Sequence, residues 1–356
     1  MSINHKQFRF ISLTDEPNGA EQVLLKLALA INGKLTFIKR NKGARLSIPS
    51  QTKTYFLSNV SIFFGLCKLV MHIRTFKENE LVFSTHPYLN AYLGFFKRIG
   101  WLRSKLVARE CTSVFTRFSG LKKYLYSLIY QLGYPGVDLV ICQTDLMREQ
   151  LLQHNKFINR KMIVILPNPV DLPKLLEHAE TTLSEVDNKQ FFVCAAGRLI
   201  HEKGFDILIR AFAVFHEKYP DYKLLILGDG KEKTMLMNLI TELNLEDFVV
   251  FKGHIANPMP YYRMAKLCVV SSIKEGFPNT LLEMMALNNA VVTTLCAGGI
   301  DAIPGVSTVE VNNVNALANA MLNKIQNPDL KSRTAMMSYL NQRSPEIVIQ
   351  SLLKAI

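Results

Sequence analysis

Two glutamates eight residues apart, Glu275 and Glu283, stand in the segment Lys274-Glu275-Gly276-Phe277-Pro278-Asn279-Thr280-Leu281-Leu282-Glu283. The segment follows an apolar run, Leu267 to Ser272, that reads as a buried strand, and it opens a helical stretch. Both carboxylates therefore belong at the carboxyl edge of a parallel sheet, where ligands bind in α/β proteins. Glu275 falls on a loop and Glu283 in the first helical turn, so the two should do different jobs. Thr280-Leu281-Leu282-Glu283 also has the spacing of a capping box, a purely structural use of Glu283. That use leaves Glu275 and the Gly-Phe-Pro-Asn spacer without a role. A second loop, Gly197-Arg198-Leu199-Ile200-His201-Glu202-Lys203-Gly204, sets two cations five residues apart between a strand and a helix start. Backbone N–H groups and the helix dipole favour an anion there, and Arg198 with Lys203 carries the charge to hold a diphosphate. Taken alone, the loop is equally an ordinary pair of solvated cations. A third loop, Gly228-Asp229-Gly230, is a tight turn whose glycines allow close approach of a ligand.

These loops need a scaffold that brings strand ends to one edge. Strand-like runs at 191–197, 223–228, 248–252, 267–272 and 290–295 alternate with helical segments near 205–219, 231–244, 258–266 and 280–289. In the first of these helices Phe205, Leu208, Ala211, Phe212 and Phe215 share one face. Such alternation predicts right-handed βαβ units and a doubly wound parallel sheet. The first half repeats the plan, with strands near 8–13, 34–38, 80–84, 105–109, 138–142 and 162–166. Two Rossmann-like α/β domains are expected, residues 1–169 and 170–344. The break falls in Leu166-Pro167-Asn168-Pro169-Val170-Asp171, where two prolines stop regular structure. Residues 345–356 read as a helix with one apolar face, which periodicity assigns to neither domain.

A chain of 356 residues can bury two such cores. Its net charge of +13 is unevenly divided: residues 1–170 hold 24 Lys/Arg against 9 Asp/Glu, and the remainder 18 against 20. A basic half faces nucleic acid, phospholipid headgroups or a phosphorylated substrate. The six cysteines, at 67, 111, 142, 194, 268 and 296, lack the spacing of a zinc site or a disulfide framework and read as reduced, apolar side chains. No apolar run reaches the length of a membrane span; the longest, Ile62 to Met71, is broken by Lys68. Met1 to Gln7 has no signal-peptide form, so a cytoplasmic location is expected.

In order and spacing, these loops resemble the nucleotide-sugar site of retaining family-4 glycosyltransferases of the GT-B fold, in which two Rossmann-like domains face each other across a cleft. The resemblance covers nearly the whole chain and is strongest from Phe191 to Ile303. Its parts are Gly-Arg-Leu-x-x-Glu-Lys-Gly at 197–204, the turn at 228–230, Phe251-Lys252-Gly253-His254-Ile255, and Glu-x7-Glu at Glu275 and Glu283. Asn168-Pro169-Val170-Asp171 also fits, as does Asn18-Gly19-Ala20-Glu21, where the family usually has Gly-Gly-Ala-Glu. The resemblance implies that Arg198 and Lys203 hold the donor diphosphate and stabilise the leaving group. It implies that Glu283 accepts hydrogen bonds from the ribose, that Gly253, His254 and Ile255 face the base, and that Glu275 reaches the transferred sugar. The backbone of Phe277, Pro278, Asn279 and Thr280 would touch sugar or phosphate, with Gly228 lining the site and Gly19 giving close access from the first domain. Front-face attack by the acceptor is implied, with the proton passing to the departing phosphate oxygen. The sequence contains no Asp-x-Asp, and neither metal nor cofactor is expected.

Many relatives carry a histidine after a central strand of the first domain. Here the strand Leu106-Val107-Ala108 ends in Arg109-Glu110, so these two are the leading candidates for acceptor-side chemistry, with Glu110 among the catalytic set. His86, after the preceding strand, ranks behind them. Segments 90–103 and 121–130 mix aromatic and cationic residues in the manner of an interfacial helix. Core packing with solvated cations is the competing account. The resemblance and the charge asymmetry together point to a retaining, metal-independent enzyme that moves a hexosyl or N-acetylhexosaminyl group, most readily from a UDP-sugar. The acceptor would be a lipid-linked or growing saccharide in surface polysaccharide synthesis. The basic domain would rest on the anionic inner face of the plasma membrane, and no nucleic-acid partner is expected. A nucleotide-sugar epimerase of the same fold, or a basic nucleic-acid-binding protein, are the alternatives.

Overall fold

The computed structural model describes residues 7–43, 45–183 and 191–356. The first six residues, on which the reading of the N-terminus rests, lie outside them. Contacts divide the chain into two compact units, Met1–Pro169 with Pro345–Ile356, and Val170–Ser344.

Unit 1 is built on seven parallel strands: β1 (Gln7–Thr14), β2 (Lys34–Lys39), β3 (Thr54–Ser58), β4 (Glu80–Thr85), β5 (Lys105–Arg109), β6 (Leu139–Cys142) and β7 (Ile163–Ile165). Their order is β3-β2-β1-β4-β5-β6-β7. Continuous apolar runs such as Leu81 to Phe83 and Leu139 to Cys142 are what a sheet covered on both faces requires. The helices are α1 (Gly19–Ala30), α2 (Ile62–Ile73), α3 (Pro87–Arg98), α4 (Val114–Arg117), α5 (Gly120–Gly133) and α6 (Asp145–His154). Leu69 and Ile73 of α2, Leu89 and Leu93 of α3, Tyr130 of α5 and Met147 of α6 share one core, so these helices cover one face of the sheet. Helices α3 and α5 lie backbone to backbone, because a Cβ at Gly94 would overlap the Gly133 carbonyl and one at Gly133 the Ala91 carbonyl.

Unit 2 has six parallel strands: β8 (Phe191–Ala196), β9 (Tyr222–Leu227), β10 (Val249–Gly253), β11 (Leu267–Val270), β12 (Val291–Thr294) and β13 (Ser307–Val309), in the order β10-β9-β8-β11-β12-β13. Its helices are α7 (Leu172–His178), α8 (Phe205–Lys218), α9 (Lys233–Glu242), α10 (Met259–Met264), α11 (Asn279–Leu287), α12 (Val314–Gln326) and α13 (Leu330–Asn341). The Asp171 side chain caps α7 by accepting from the Lys174 N–H at 3.3 Å. The last helix, α14 (Pro345–Ala355), belongs to unit 1. There Val348, Ile349 and Leu352 join Val23, Leu24 and Leu27 of α1 on the second face of the sheet.

In each sheet the winding reverses between two central neighbours, β1 and β4 in unit 1 and β8 and β11 in unit 2. Such a switch point opens a crevice at the carboxyl ends of the strands. Two expectations change. The edge strand β3 makes β4 the middle strand of unit 1, so His86 follows the central strand and Arg109 does not. Helix α11 begins at Asn279 behind an N-cap residue, Pro278, that offers no side-chain hydrogen bond. Thr280 is therefore inside the helix, the capping box is not formed, and Glu283 lies in the second turn.

Leu352 of α14 is fully buried. Leu352→Ala should destabilise unit 1 by about 2–5 kcal/mol. Urea unfolding followed by the fluorescence of Trp101, the single tryptophan and a unit 1 residue, should show an earlier midpoint.

Candidate active site

At the switch point of unit 2 the loops after β8 and β11 are tied together by both backbone and charge. The Ile273 N–H donates to the Glu202 carbonyl at 2.8 Å, and the Ser271 hydroxyl donates to the Lys203 carbonyl at 3.0 Å. Gly204 is left-handed, with φ 58°, and a Cβ there would overlap the Ser271 carbonyl. This close seam sets the Lys203 ammonium against the Glu275 carboxylate. The same carboxylate oxygen accepts from the Ser272 hydroxyl at 2.8 Å, and the Glu275 N–H donates to the Cys296 carbonyl at 2.9 Å. Glu275 thus reaches across to the second cation of the neighbouring loop, Lys203, while the strand ends fix its backbone. Both side chains keep 18% exposure, so the pair is open to a ligand.

Arg198 stands exposed on the same loop. Its neighbour Leu199 is held on the turn after β9: the Leu199 N–H donates to the Asp229 carbonyl at 2.9 Å, and the Glu232 N–H donates to the Leu199 carbonyl at 3.0 Å. Gly228 makes this possible, since a Cβ there would overlap the Gly197 carbonyl. The Gly228 N–H also donates to the Gly253 carbonyl at 2.7 Å, joining the turn to the end of β10. Gly253 has φ 69°, His254 is exposed, and Ile255 is half-buried against the core. Phe277 packs on the same core with the Arg343 guanidinium 5.7 Å from its ring centroid. Pro278 is buried, while Asn279, Thr280 and Glu283 are half-buried. The structure brings the expected loops after β8, β9, β10 and β11 to one edge of unit 2.

At the switch point of unit 1 the groups that meet are Glu21 of α1 and His86, which follows β4. Glu21 is 1% exposed; one carboxylate oxygen lies 2.5 Å from His86 Nε2 and accepts from the Ser12 hydroxyl at 3.2 Å. His86 has a left-handed φ of 78°, which a side chain with a Cβ rarely adopts, and it stands immediately before α3. Burial pulls its pKa down, but hydrogen bonds to Cys111 and Glu21 outweigh burial and raise it to about 10. Burial pushes the Cys111 thiol up, but its hydrogen bond to His86 and the charges of His86 and Arg109 together bring it down. Gly19 is exposed at the start of α1.

Arg109 and Glu110 are placed differently from the expectation. Both are buried: the Arg109 guanidinium donates to the Asn168 amide oxygen at 2.6 Å, and Glu110 accepts from the hydroxyls of Tyr130, at 2.8 Å, and Tyr134. Burial pushes the Glu110 carboxyl up against the lowering effect of the two tyrosines. The cavity beside Glu110 holds about 10 Å³, room for a single water and far too little for a saccharide. Arg109 and Glu110, expected on the acceptor side, are packed inside unit 1, whereas His86 stands at the sheet edge.

The family described as glycosyl transferases group 1 matches residues 178–343. An N-acetylgalactosaminyltransferase of Campylobacter jejuni, named for a diacetylbacillosaminyl-diphospho-undecaprenol substrate, is 32% identical over 264 residues, 71% of this chain and 68% of that protein. The chain belongs to the group 1 glycosyltransferases. An uncharacterized glycosyltransferase of Methanocaldococcus jannaschii is 35% identical over 184 residues, 51% of this chain and only 45% of that protein. The crystal structure of Anabaena HepE in complex with UDP-glucose aligns with a TM-score of 0.78 at 17% identity, covering 98% of each chain, and shows the GT-B fold.

Within this group 1 glycosyltransferase, three residues of the edge escaped sequence reasoning. Ser271 and Ser272 read there as the end of a strand, and only their place beside the β8 loop reveals them as supports for Lys203 and Glu275. Glu21 was visible in Asn-Gly-Ala-Glu, but its partner lies 65 residues away. Gly228→Ala should cost about 1–3 kcal/mol by forcing the turn off Gly197. Hydrogen exchange at Leu199 to Lys203 should quicken in that variant; unchanged exchange would mean that the turn does not hold the loop.

Proposed function

We propose that this group 1 enzyme is a retaining, metal-independent family-4 glycosyltransferase that moves a sugar from a UDP-sugar to a lipid-linked saccharide. The observation that carries this reading is the Lys203–Glu275 pair at the switch point of unit 2, with Arg198 exposed on the same loop. Two cations beside the strand ends suit a diphosphate, and Arg198 can grip it in bidentate fashion. As the bond from the anomeric carbon to the phosphate oxygen breaks, negative charge grows on that oxygen. Lys203, already oriented by Glu275, and Arg198 stabilise this charge without reorganisation. The acceptor oxygen bonds to the anomeric carbon from the same face, and its proton passes to the leaving oxygen.

Glu275 is a charge-stabilising and sugar-positioning group, because its nearest partners are an ammonium and a hydroxyl. Glu283, half-buried one turn into α11, offers a carboxylate to the ribose hydroxyls. Backbone N–H groups at the start of α11 favour an anionic or hydroxyl-bearing ligand. The Campylobacter relative's lipid-diphosphate substrate and HepE's UDP-glucose support the choice of acceptor and donor. Arg198→Ala or Lys203→Ala should each weaken UDP-sugar binding about tenfold to a hundredfold, the loss of one charged hydrogen bond. Calorimetry across UDP-, GDP- and ADP-sugars, with release of the nucleoside diphosphate as the activity readout, tests this. Unchanged affinity for all of them would sink the diphosphate assignment.

A lipid-borne acceptor also fits the outer surface of unit 1. Along α5, Leu121, Tyr124, Leu125, Leu128 and Leu132 are exposed at helical spacing, opposite the buried Tyr130. On α2 the same holds for Phe63, Phe64 and Met71, opposite Leu69 and Ile73. Helix α3 lies between them, joined to α2 by the Tyr92 hydroxyl donating to the Leu66 carbonyl at 3.0 Å. Lys68, Lys122 and Lys123 accompany these apolar stripes, and the pattern is that of helices lying in an anionic headgroup layer. No helix among the described residues is long and apolar enough to cross a membrane. Replacing Phe63 and Phe64 with Ser should reduce cosedimentation with phosphatidylglycerol vesicles while leaving UDP-sugar affinity intact. Undiminished vesicle binding in a variant that also lacks Lys122 and Lys123 would remove the membrane surface.

A further inference from the structure

The switch point of unit 1 holds a buried pair whose geometry assigns a task to a residue outside the donor site. We propose that Glu21 is a positioning residue for the transfer reaction: its buried carboxylate clamps His86 as an imidazolium at the end of the central strand. There, His86 offers a fixed positive charge to substrate rather than a proton-accepting base. This inference rests on the functional reading above, and three independent features of the structure support it.

The first is place. Glu21 and His86 come from opposite sides of the β1/β4 reversal, where ligands bind in open α/β sheets. The second is backbone strain. A non-glycine residue at φ 78° costs on the order of 1–3 kcal/mol and persists only when its surroundings hold it. The third is partnering. Glu21 Oε1 meets His86 Nε2 and the Ser12 hydroxyl, while Oε2 is buried without a hydrogen-bond partner. That carboxylate is therefore committed to the imidazole, since an ionised group at 1% exposure needs a counter-charge. Cys111 also hydrogen-bonds the ring. With Nε2 held by Glu21, that nitrogen has no role as a base toward a substrate hydroxyl.

The groups around the ring are consistent with a cation. Glu21 comes from α1 and Cys111 from the segment after β5. Tyr88 of α3 has its ring centroid 6.1 Å from that of His86, and burial pushes the Tyr88 hydroxyl up to about 12, so it stays neutral. Tyr126 of α5 and the Arg109 and Glu110 pair interact with Cys111. Arg109 is the one nearby cation in this set, and Asn168 and Glu110 engage it.

The test is an NMR titration of the full chain labelled with ¹⁵N-histidine, with the His86 signals identified by their absence in His86→Gln. In the wild type, His86 should remain doubly protonated from about pH 6 to pH 9, whereas an ordinary histidine titrates near about 6.5. In Glu21→Gln its titration should fall well below that of the wild type, with the hydrogen bond to Cys111 left as the remaining support. The variant's kcat should drop about tenfold at pH 8 and recover as pH is lowered, with KM for the donor within about twofold, and Glu21→Asp should restore part of the loss. A wild-type His86 that titrates near 6.5 overturns the clamp, whether or not Glu21→Gln folds. A folded Glu21→Gln enzyme with an unaltered pH profile overturns its part in transfer. Wild-type protein that releases no nucleoside diphosphate from any donor defeats the functional reading instead, and the titration still decides the clamp.

Discussion

The site of each unit depends on one arrangement, a cation and a carboxylate that meet across the reversal of a doubly wound sheet. In unit 2 they are Lys203 and Glu275; in unit 1 they are His86 and Glu21. A switch point separates two neighbouring strand ends whose following loops turn in opposite directions, so something must bridge the gap. An ion pair does so without filling it. It fixes two loops that are far apart in sequence, yet leaves polar groups facing the opening. The exposure of the two pairs differs, however. Lys203 and Glu275 remain partly solvated, where a ligand can compete for them, whereas Glu21 is sealed and acts only through its partner.

Glycines make these bridges geometrically possible. Gly204 and Gly228 each occupy a place where a single added carbon would strike a backbone carbonyl, and so the loops after β8, β9 and β11 touch main chain to main chain. Gly94 and Gly133 do the same between α3 and α5. In that helix layer the inner faces are fully committed to the core, and the close approach is achieved without large side chains between the helices. Large apolar residues on α2 and α5 appear on the outside, where no packing among the described residues accounts for them.

Much of the scaffold is written locally. Strands such as Phe191–Ala196 and Leu267–Val270 are short continuous apolar runs, and Gly-Arg-Leu-x-x-Glu-Lys-Gly carries its own turn and charge. Edge strands are harder to see: Thr54–Ser58 and Ser307–Val309 are short and only partly buried, so their patterns resemble loops. What periodicity does not express is which strand ends become neighbours. Lys203 and Glu275 are 72 residues apart, and their meeting depends on β11 lying beside β8. The same limit hides the surroundings of the acceptor-side candidates. Arg109 and Glu110 carry the right chemistry at a strand end, but the side chains turn into the core, where Tyr130 and Tyr134 receive Glu110. That His86 follows the central strand is hidden because the edge strand β3, which shifts the centre of the sheet, does not read as a strand. Glu283 was read one turn too early because Pro278, an unusual N-cap residue, starts α11 before Thr280.

Helix α14 gives unit 1 an unusual timetable. Its Val348, Ile349 and Leu352 complete the core on one face of the first sheet, yet they are translated after the whole of unit 2. During synthesis the second unit has all of its residues before the first does. The usual order, in which the N-terminal domain is completed first, does not hold here: the residues that pack on α1 follow all of unit 2 in the chain.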